Sequence, residues 1–141
     1  AAVRERARAW TVQYVEPADI DRMGMTAALR EAFGRAIAAV EEAGVAVDVI
    51  LLDGNPLHVD EREVNVVKGD AKCASIAAAS LVAKVARDAL MEEYDAQYPG
   101  YGFASNKGYG SEGHMEAIRQ KGLTPLHRRS FCTAFTQESL F

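Results

Sequence analysis

The sequence predicts an α/β fold, and three observations predict it. Residues 45–52 and 63–67 are short apolar, β-branched runs, V-A-V-D-V-I-L-L and E-V-N-V-V, of strand length. Each run leads into an aspartate, Asp53 directly and Asp70 after Lys68-Gly69. An Ala-rich helical pattern follows the second run from Ser75 to about Tyr94. Parallel strands covered on both faces read as near-continuous Val/Ile/Leu runs. Acids at the carboxyl ends of such strands lie on the rim where α/β sheets place their chemistry. If they meet there, Asp53 and Asp70 are candidate ligands for a hard cation such as Mg²⁺.

The elements follow in order. Residues 3–8 are charged and read as the stub of a helix. Residues 9–15 alternate, with Trp10, Val12 and Tyr14 on one face, which predicts a half-buried strand. Pro17 suits the first position of a helix or turn. Residues 25–43 form the clearest amphipathic helix: Leu29, Phe33, Ala36, Ile37 and Val40 make one apolar stripe, expected to be core. Glu31 and Arg35 make a favourable i,i+4 pair, and Gly44 fits the left-handed position after the last turn. The strand at 45–52 should be buried, and Gly54, Asn55 and Pro56 end it. Taken alone, Asp53-Gly54-Asn55 is better read as a turn, since all three residues favour turns. If Asp53 and Asp70 meet, both strands run the same way. The link 54–62 is shorter than the usual parallel crossover, so an extended loop is expected there. In the helix 75–94, Ser75 is a plausible N-cap. Its first three turns are apolar nearly all round and should be buried, while Lys84, read as a surface lysine, begins the wet part.

Residues 99–110 form a loop rich in glycine and aromatics, with Tyr101, Phe103 and Tyr109 around Lys107. Aromatics beside a base suit nucleic acid, because sugars and bases pack on rings while lysine meets phosphate. Tyr101 and Phe103 are assigned instead to pinning the loop to the core. Residues 111–121 predict a short helix capped by Ser111 and stopped by Gly122. Arg128 and Arg129 suit phosphate contact through the guanidinium fork, and equally suit pairing with local carboxylates.

Composition sets outer bounds. With 141 residues, 49% of them hydrophobic, residues 1–141 read as a single domain with material for a core. Cys73 and Cys132 have no metal-like spacing and point to a reducing cytoplasm. No signal peptide is visible, and the longest charge-free run, 73–83, is too short to span a bilayer. The start at Ala1, with no Met, is what a fragment would show. The net charge of −4 argues mildly against nucleic-acid binding as a global property, although the sequence from Lys107 onward is locally basic. The three histidines have no zinc-like spacing, and nothing resembles a P-loop or a Ser-His-Asp set.

Several long motifs carry a resemblance, in register from about Ala9 to Phe131. D-G-N at 53–55 is followed by K-G-D-A-K-C-A-S-I-A-A-A-S-L-V-A-K-V-A-R-D at 68–88, Y-G-F-A-S-N-K-G-Y-G at 101–110 and H-R-R-S-F at 127–131. Together they resemble bacterial ribonuclease HII, the type 2 ribonuclease H. The resemblance implies a ribonuclease H-like mixed sheet flanked by helices, here missing its N-terminal strands. The family's D-E-x-G-R-G and D-S-K-K-L stretches are absent, and Glu41-Glu42-Ala43-Gly44 reads as an ordinary helix end. The chain thus looks like the C-terminal two-thirds of such a domain.

The function implied is endonucleolytic cleavage of the RNA strand of RNA–DNA hybrids, including single ribonucleotides embedded in DNA. It uses Mg²⁺ or Mn²⁺ and leaves 5′-phosphate and 3′-hydroxyl ends. Asp53 and Asp70 would be catalytic metal ligands, and Tyr109 matches the tyrosine that packs at the RNA–DNA junction. Lys107, Arg128 and Arg129 would contact substrate. The intact protein is expected to be a monomer without a membrane partner. With two of the family's four carboxylates, the chain as given is expected to be nearly inactive alone, with Glu61, Glu63 or Asp88 the first candidates to replace the others. The alternatives are a hybrid-binding chain without catalysis, and another Asp-dependent phosphoryl-transfer enzyme. The latter often needs D-x-D at the first strand end, where this chain has Leu51-Leu52-Asp53.

Overall fold

The computed structural model describes residues 2–133. Their elements run α1 (Ala2–Arg6), α2 (Pro17–Met23), α3 (Met25–Glu42), β1 (Ile50–Asp53), β2 (Glu63–Val66), α4 (Gly69–Lys72), α5 (Ala74–Gln97), α6 (Phe103–Asn106) and α7 (Glu112–Lys121), closing on a 3₁₀ turn at Arg129–Phe131. The chain forms two compact units. Ala1–Val15 and Gly24–Lys84 make the first, and Glu16–Met23 and Val85–Phe141 make the second.

In the first unit, β1 and β2 pair in parallel, with Ile50 opposite Glu63 and Asp53 opposite Val66. The fold is therefore α/β and helix-rich with a small parallel sheet. The short link closes without a helix because charged side chains fold it. The Glu63 carboxylate accepts the backbone N–H groups of Val59 (2.9 Å) and Leu57 (2.8 Å). These bonds, that of Val59 foremost, hold the Glu63 carboxyl down at about 2. Arg62 bridges Asp60 (2.7 Å), Glu41 at the end of α3 (2.6 Å) and the Val47 carbonyl (2.9 Å).

Four expectations change in this unit. Residues 9–15 form no strand, because alternation supplies a face but a strand needs a ladder, and none of the described residues pairs with them. The expected strand at 45–52 shrinks to β1 and alternates, with Ile50 and Leu52 buried and Val49 and Leu51 exposed. A continuous apolar run needs cover on both faces, and among the described residues one face of β1 stays open. For the same reason the apolar stripes are only half covered. On α3 the stripe residues Phe33, Ala36, Ile37 and Val40 are half-buried and Leu29 is exposed, and on α5 Ile76 and Val82 are buried while Leu81 and Val85 are exposed. Ser75 lies inside α5, and Cys73 takes the cap position, its carbonyl accepting the Ala77 N–H at 3.0 Å. Pro17 and Gly44 behave as expected: Pro17 opens α2, and Gly44 turns the chain at φ 82°.

The second unit has the better-filled core. Met91, Tyr101, Phe103, Ala117, Ile118 and Cys132 are buried together, with Tyr94, Tyr98, Leu123 and Leu126 against them. Tyr101 and Phe103 stack with ring centres 5.6 Å apart, which pins the aromatic loop to the core, and α6 forms inside that loop. Ser111 caps α7 by accepting the His114 N–H (3.4 Å), and Gly122 stops it.

Candidate functional site

The end of β1 places Asp53 at the strand's last residue, exposed. Its Oδ1 accepts the Gly69 N–H at 2.7 Å. The loop from β2 can make that approach for two local reasons. Lys68 takes the left-handed conformation (φ 55°, ψ 47°), reversing the chain after β2. Gly69 then passes where no side chain fits: a Cβ there would lie 2.6 Å from Ile76 Cδ1, 3.3 Å from Val66 Cβ and 3.4 Å from Asp53 Oδ1. Asp70 follows immediately in the first turn of α4, exposed, one Cα step of about 3.8 Å from the residue that Asp53 holds. Both acids thus belong to the same end of the same pair of strands. An apolar hollow of about 440 Å³, lined by Phe33, Leu51, Ile76 and Ala79, adjoins Asp53.

The residues present fit a hard cation in part. Carboxylate oxygens are the right donors for Mg²⁺ or Mn²⁺. Asp53 keeps Oδ2 free of the Gly69 bond, and Asp70 projects from an exposed turn. No group of three or more His, Cys, Asp or Glu able to hold a metal occurs among the described residues. Glu63 is committed to the Leu57 and Val59 amides, which removes it as a further ligand.

The residues predicted to contact substrate, Lys107, Tyr109, Arg128 and Arg129, lie in the second unit. Tyr109 is 73% exposed, so its ring is free to meet a partner. The turn that presents it is tied at every step. Asn106 donates Nδ2 to the Tyr101 carbonyl (2.7 Å) and accepts the Gly108 N–H on Oδ1 (2.8 Å), while its carbonyl accepts the Tyr109 N–H (2.9 Å). Lys107 adopts φ 53° and pairs with Glu92 (3.3 Å), and Arg87 donates to the Lys107 carbonyl (3.1 Å). Asn106 and Arg87 were missed in the sequence. Asn-Lys-Gly was the available signal for Asn106, since Asn before a left-handed pair organises turns through its side chain. Arg87 carried no signal, because its target is a backbone carbonyl twenty residues on.

Arg128 lies with its guanidinium carbon 4.0 Å from the centre of the Phe131 ring, and Arg129 is exposed on the 3₁₀ turn. Behind them, His114 and His127 are buried and stacked, with ring centres 5.2 Å apart. His127 Nδ1 accepts the Thr124 N–H at 2.9 Å, and His114 Nδ1 donates to the Tyr101 carbonyl at 3.1 Å. Burial, and secondarily the neighbouring His114, push the His127 pKa down. These are core histidines that hold the loop.

A family model described as ribonuclease HII matches residues 3–134. The chain belongs to the ribonuclease HII family. Relatives named ribonuclease HII include one from Laribacter hongkongensis, 45% identical over 98% of this chain and 72% of the relative. Another, from Vibrio campbellii, is 46% identical over 92% of this chain and 60% of the relative. A third, from Levilactobacillus brevis, is 47% identical over 82% of this chain and 44% of the relative. The chain therefore spans between about half and three-quarters of the length of these ribonuclease HII relatives.

Proposed function

We propose that the chain acts in endonucleolytic cleavage of the RNA strand of RNA–DNA hybrids, including single ribonucleotides embedded in DNA, leaving 5′-phosphate and 3′-hydroxyl ends. Membership of the ribonuclease HII family supports the reaction class. The observation that carries the site is the shared strand end of Asp53 and Asp70, tied through the Gly69 N–H. In this reading Asp53 Oδ2 and the Asp70 carboxylate hold Mg²⁺ or Mn²⁺. When bound, the metal supplies an activated water and stabilises the leaving 3′ oxygen. Gly69 keeps Asp53 from rotating away, so its free oxygen faces one direction. Tyr109 packs its exposed ring on the sugar at the RNA–DNA junction. The 2′-hydroxyl is what tells RNA from DNA at such a site. Lys107, Arg128 and Arg129 meet phosphates. The protein works as a monomer in the cytoplasm, in the repair of ribonucleotide-containing DNA.

A second reading, a chain that binds hybrid without cutting it, is favoured by one observation. The described residues offer no cluster of three metal ligands. A duplex carrying one embedded ribonucleotide, incubated with Mg²⁺ or Mn²⁺, separates the two. Nicking of the ribonucleotide-containing strand with the stated ends supports cleavage. Binding of the same duplex with no product supports the second reading.

A further inference from the structure

The segment 16–23 and the arginine turn are far apart in sequence, yet one side chain joins them. The Asp21 carboxylate on α2 accepts the Arg129 N–H on Oδ2 (2.6 Å) and the Ser130 N–H on Oδ1 (3.1 Å). It also accepts the Ser130 hydroxyl on Oδ1. Two successive amides are thus held by the two oxygens of one forked acceptor, a geometry that a carboxylate provides and an amide does not. The bonds to Ser130, its hydroxyl foremost, hold the Asp21 carboxyl below the usual carboxylate range, so it stays charged beside Arg128 at neutral pH. Within the turn, the Phe131 N–H bonds the Arg128 carbonyl and the Cys132 N–H bonds the Arg129 carbonyl, both at 3.0 Å. Arg128 is also braced by the Phe131 ring. Once Asp21 fixes the backbone at 129–130, the directions in which the Arg128 and Arg129 side chains leave the backbone are set.

We propose that Asp21 is the positioning residue of this turn, holding Arg128 and Arg129 in the register in which they meet successive phosphates of the duplex. The proposal rests on the reading of the two arginines as phosphate contacts. Asp21 itself, an anion, does not touch the nucleic acid. It acts through the arginines, so its effect should vanish when they are gone.

The test measures affinity for a defined RNA–DNA hybrid duplex against salt concentration. The proteins are the full chain, Asp21→Asn, the double variant Arg128→Ala/Arg129→Ala, and the triple variant. Each phosphate contact contributes about 0.9 to the slope of log affinity against log salt. Asp21→Asn should lower the slope by about one contact and weaken binding about tenfold at moderate salt. The triple variant should match the double variant. A wild-type slope in Asp21→Asn, with a reduced slope in the double variant, would overturn the positioning role alone. An unchanged slope in the double variant would instead overturn the phosphate reading, and the proposal with it. Should Asp21→Asn fail to fold, Ser130→Ala removes one of the three bonds and should lower the slope in the same direction. No change in that folded variant would also overturn the proposal.

Discussion

The strand end that carries Asp53 and Asp70 and the turns that carry Tyr109 and the arginines are built in opposite ways. Around Asp53 the sheet has two short strands, Val49 and Leu51 face outward, and one backbone N–H steadies the carboxylate. Around Tyr109 and Arg128, buried aromatic and imidazole rings lie beneath the surface, and Asn106 and Asp21 tie the exposed turns. The difference teaches that contact with an extended partner can be preorganised by one local core. A metal centre needs several ligands gathered at one point, and the described residues bring two acids to one strand end.

Truncating Phe103 to Ala should show the largest effect on the better-packed side. Phe103 is 3% exposed and stacks on Tyr101, so its loss should cost about 3–5 kcal/mol in urea unfolding. A cost under about 1 kcal/mol would mean that the aromatic core is looser than its burial implies. Gly69→Ala probes the other side. The added methyl meets Ile76 Cδ1, the movable end of a side chain, and the expected cost is about 1–3 kcal/mol, with cleavage falling further than stability because Asp53 loses its anchor. If activity and stability fell together, the Gly69 bond would be only structural.

Acid should distinguish the regions by the pH window in which each loses stability. His127 is held neutral in the fold, so the unfolded chain binds a proton more readily than the folded one. Its contribution is present above the ordinary histidine value of about 6.5 and is lost as pH falls below it. Glu63, held near 2 in the fold, contributes above about 4.5 and loses its share only between there and about 2. Tryptophan fluorescence, from Trp10 in the first unit, should therefore stay unchanged from pH 7 to 5, while amide protection around Thr124 and His127, measured against the intrinsic exchange rate at each pH, falls. Simultaneous loss of both would erase the contrast.

Much of this was legible in the sequence where local chemistry decides structure. Ser111 and Gly122 bracket α7, Pro17 opens α2, Tyr101 and Phe103 pin their loop, and the two strands run parallel. The aspartates could be placed at one strand end because the runs before them fixed where the strands stop. What stayed hidden depended on distant partners. The alternation at 9–15 looked like a strand but could not reveal that no ladder forms with it among the described residues. Cys73 displaced Ser75 as the cap of α5 because α4 precedes it closely. Asp21 and Arg87 act on backbone groups, which leave no residue-type pattern to read.

Cleavage is expected to depend on the Asp53–Asp70 strand end, while hybrid binding rests on other residues. The deciding measurement is Asp53→Asn in the intact protein, with cleavage and binding followed on one single-ribonucleotide duplex in Mn²⁺. The substitution keeps an oxygen to accept the Gly69 N–H but removes the charge. Cleavage should fall by about 10³-fold or more, since a metal's charge stabilisation amounts to several kcal/mol, while affinity for the duplex stays within about threefold. Full cleavage by Asp53→Asn, or equal loss of cleavage and binding, would contradict the account and leave Asp53 as a turn residue.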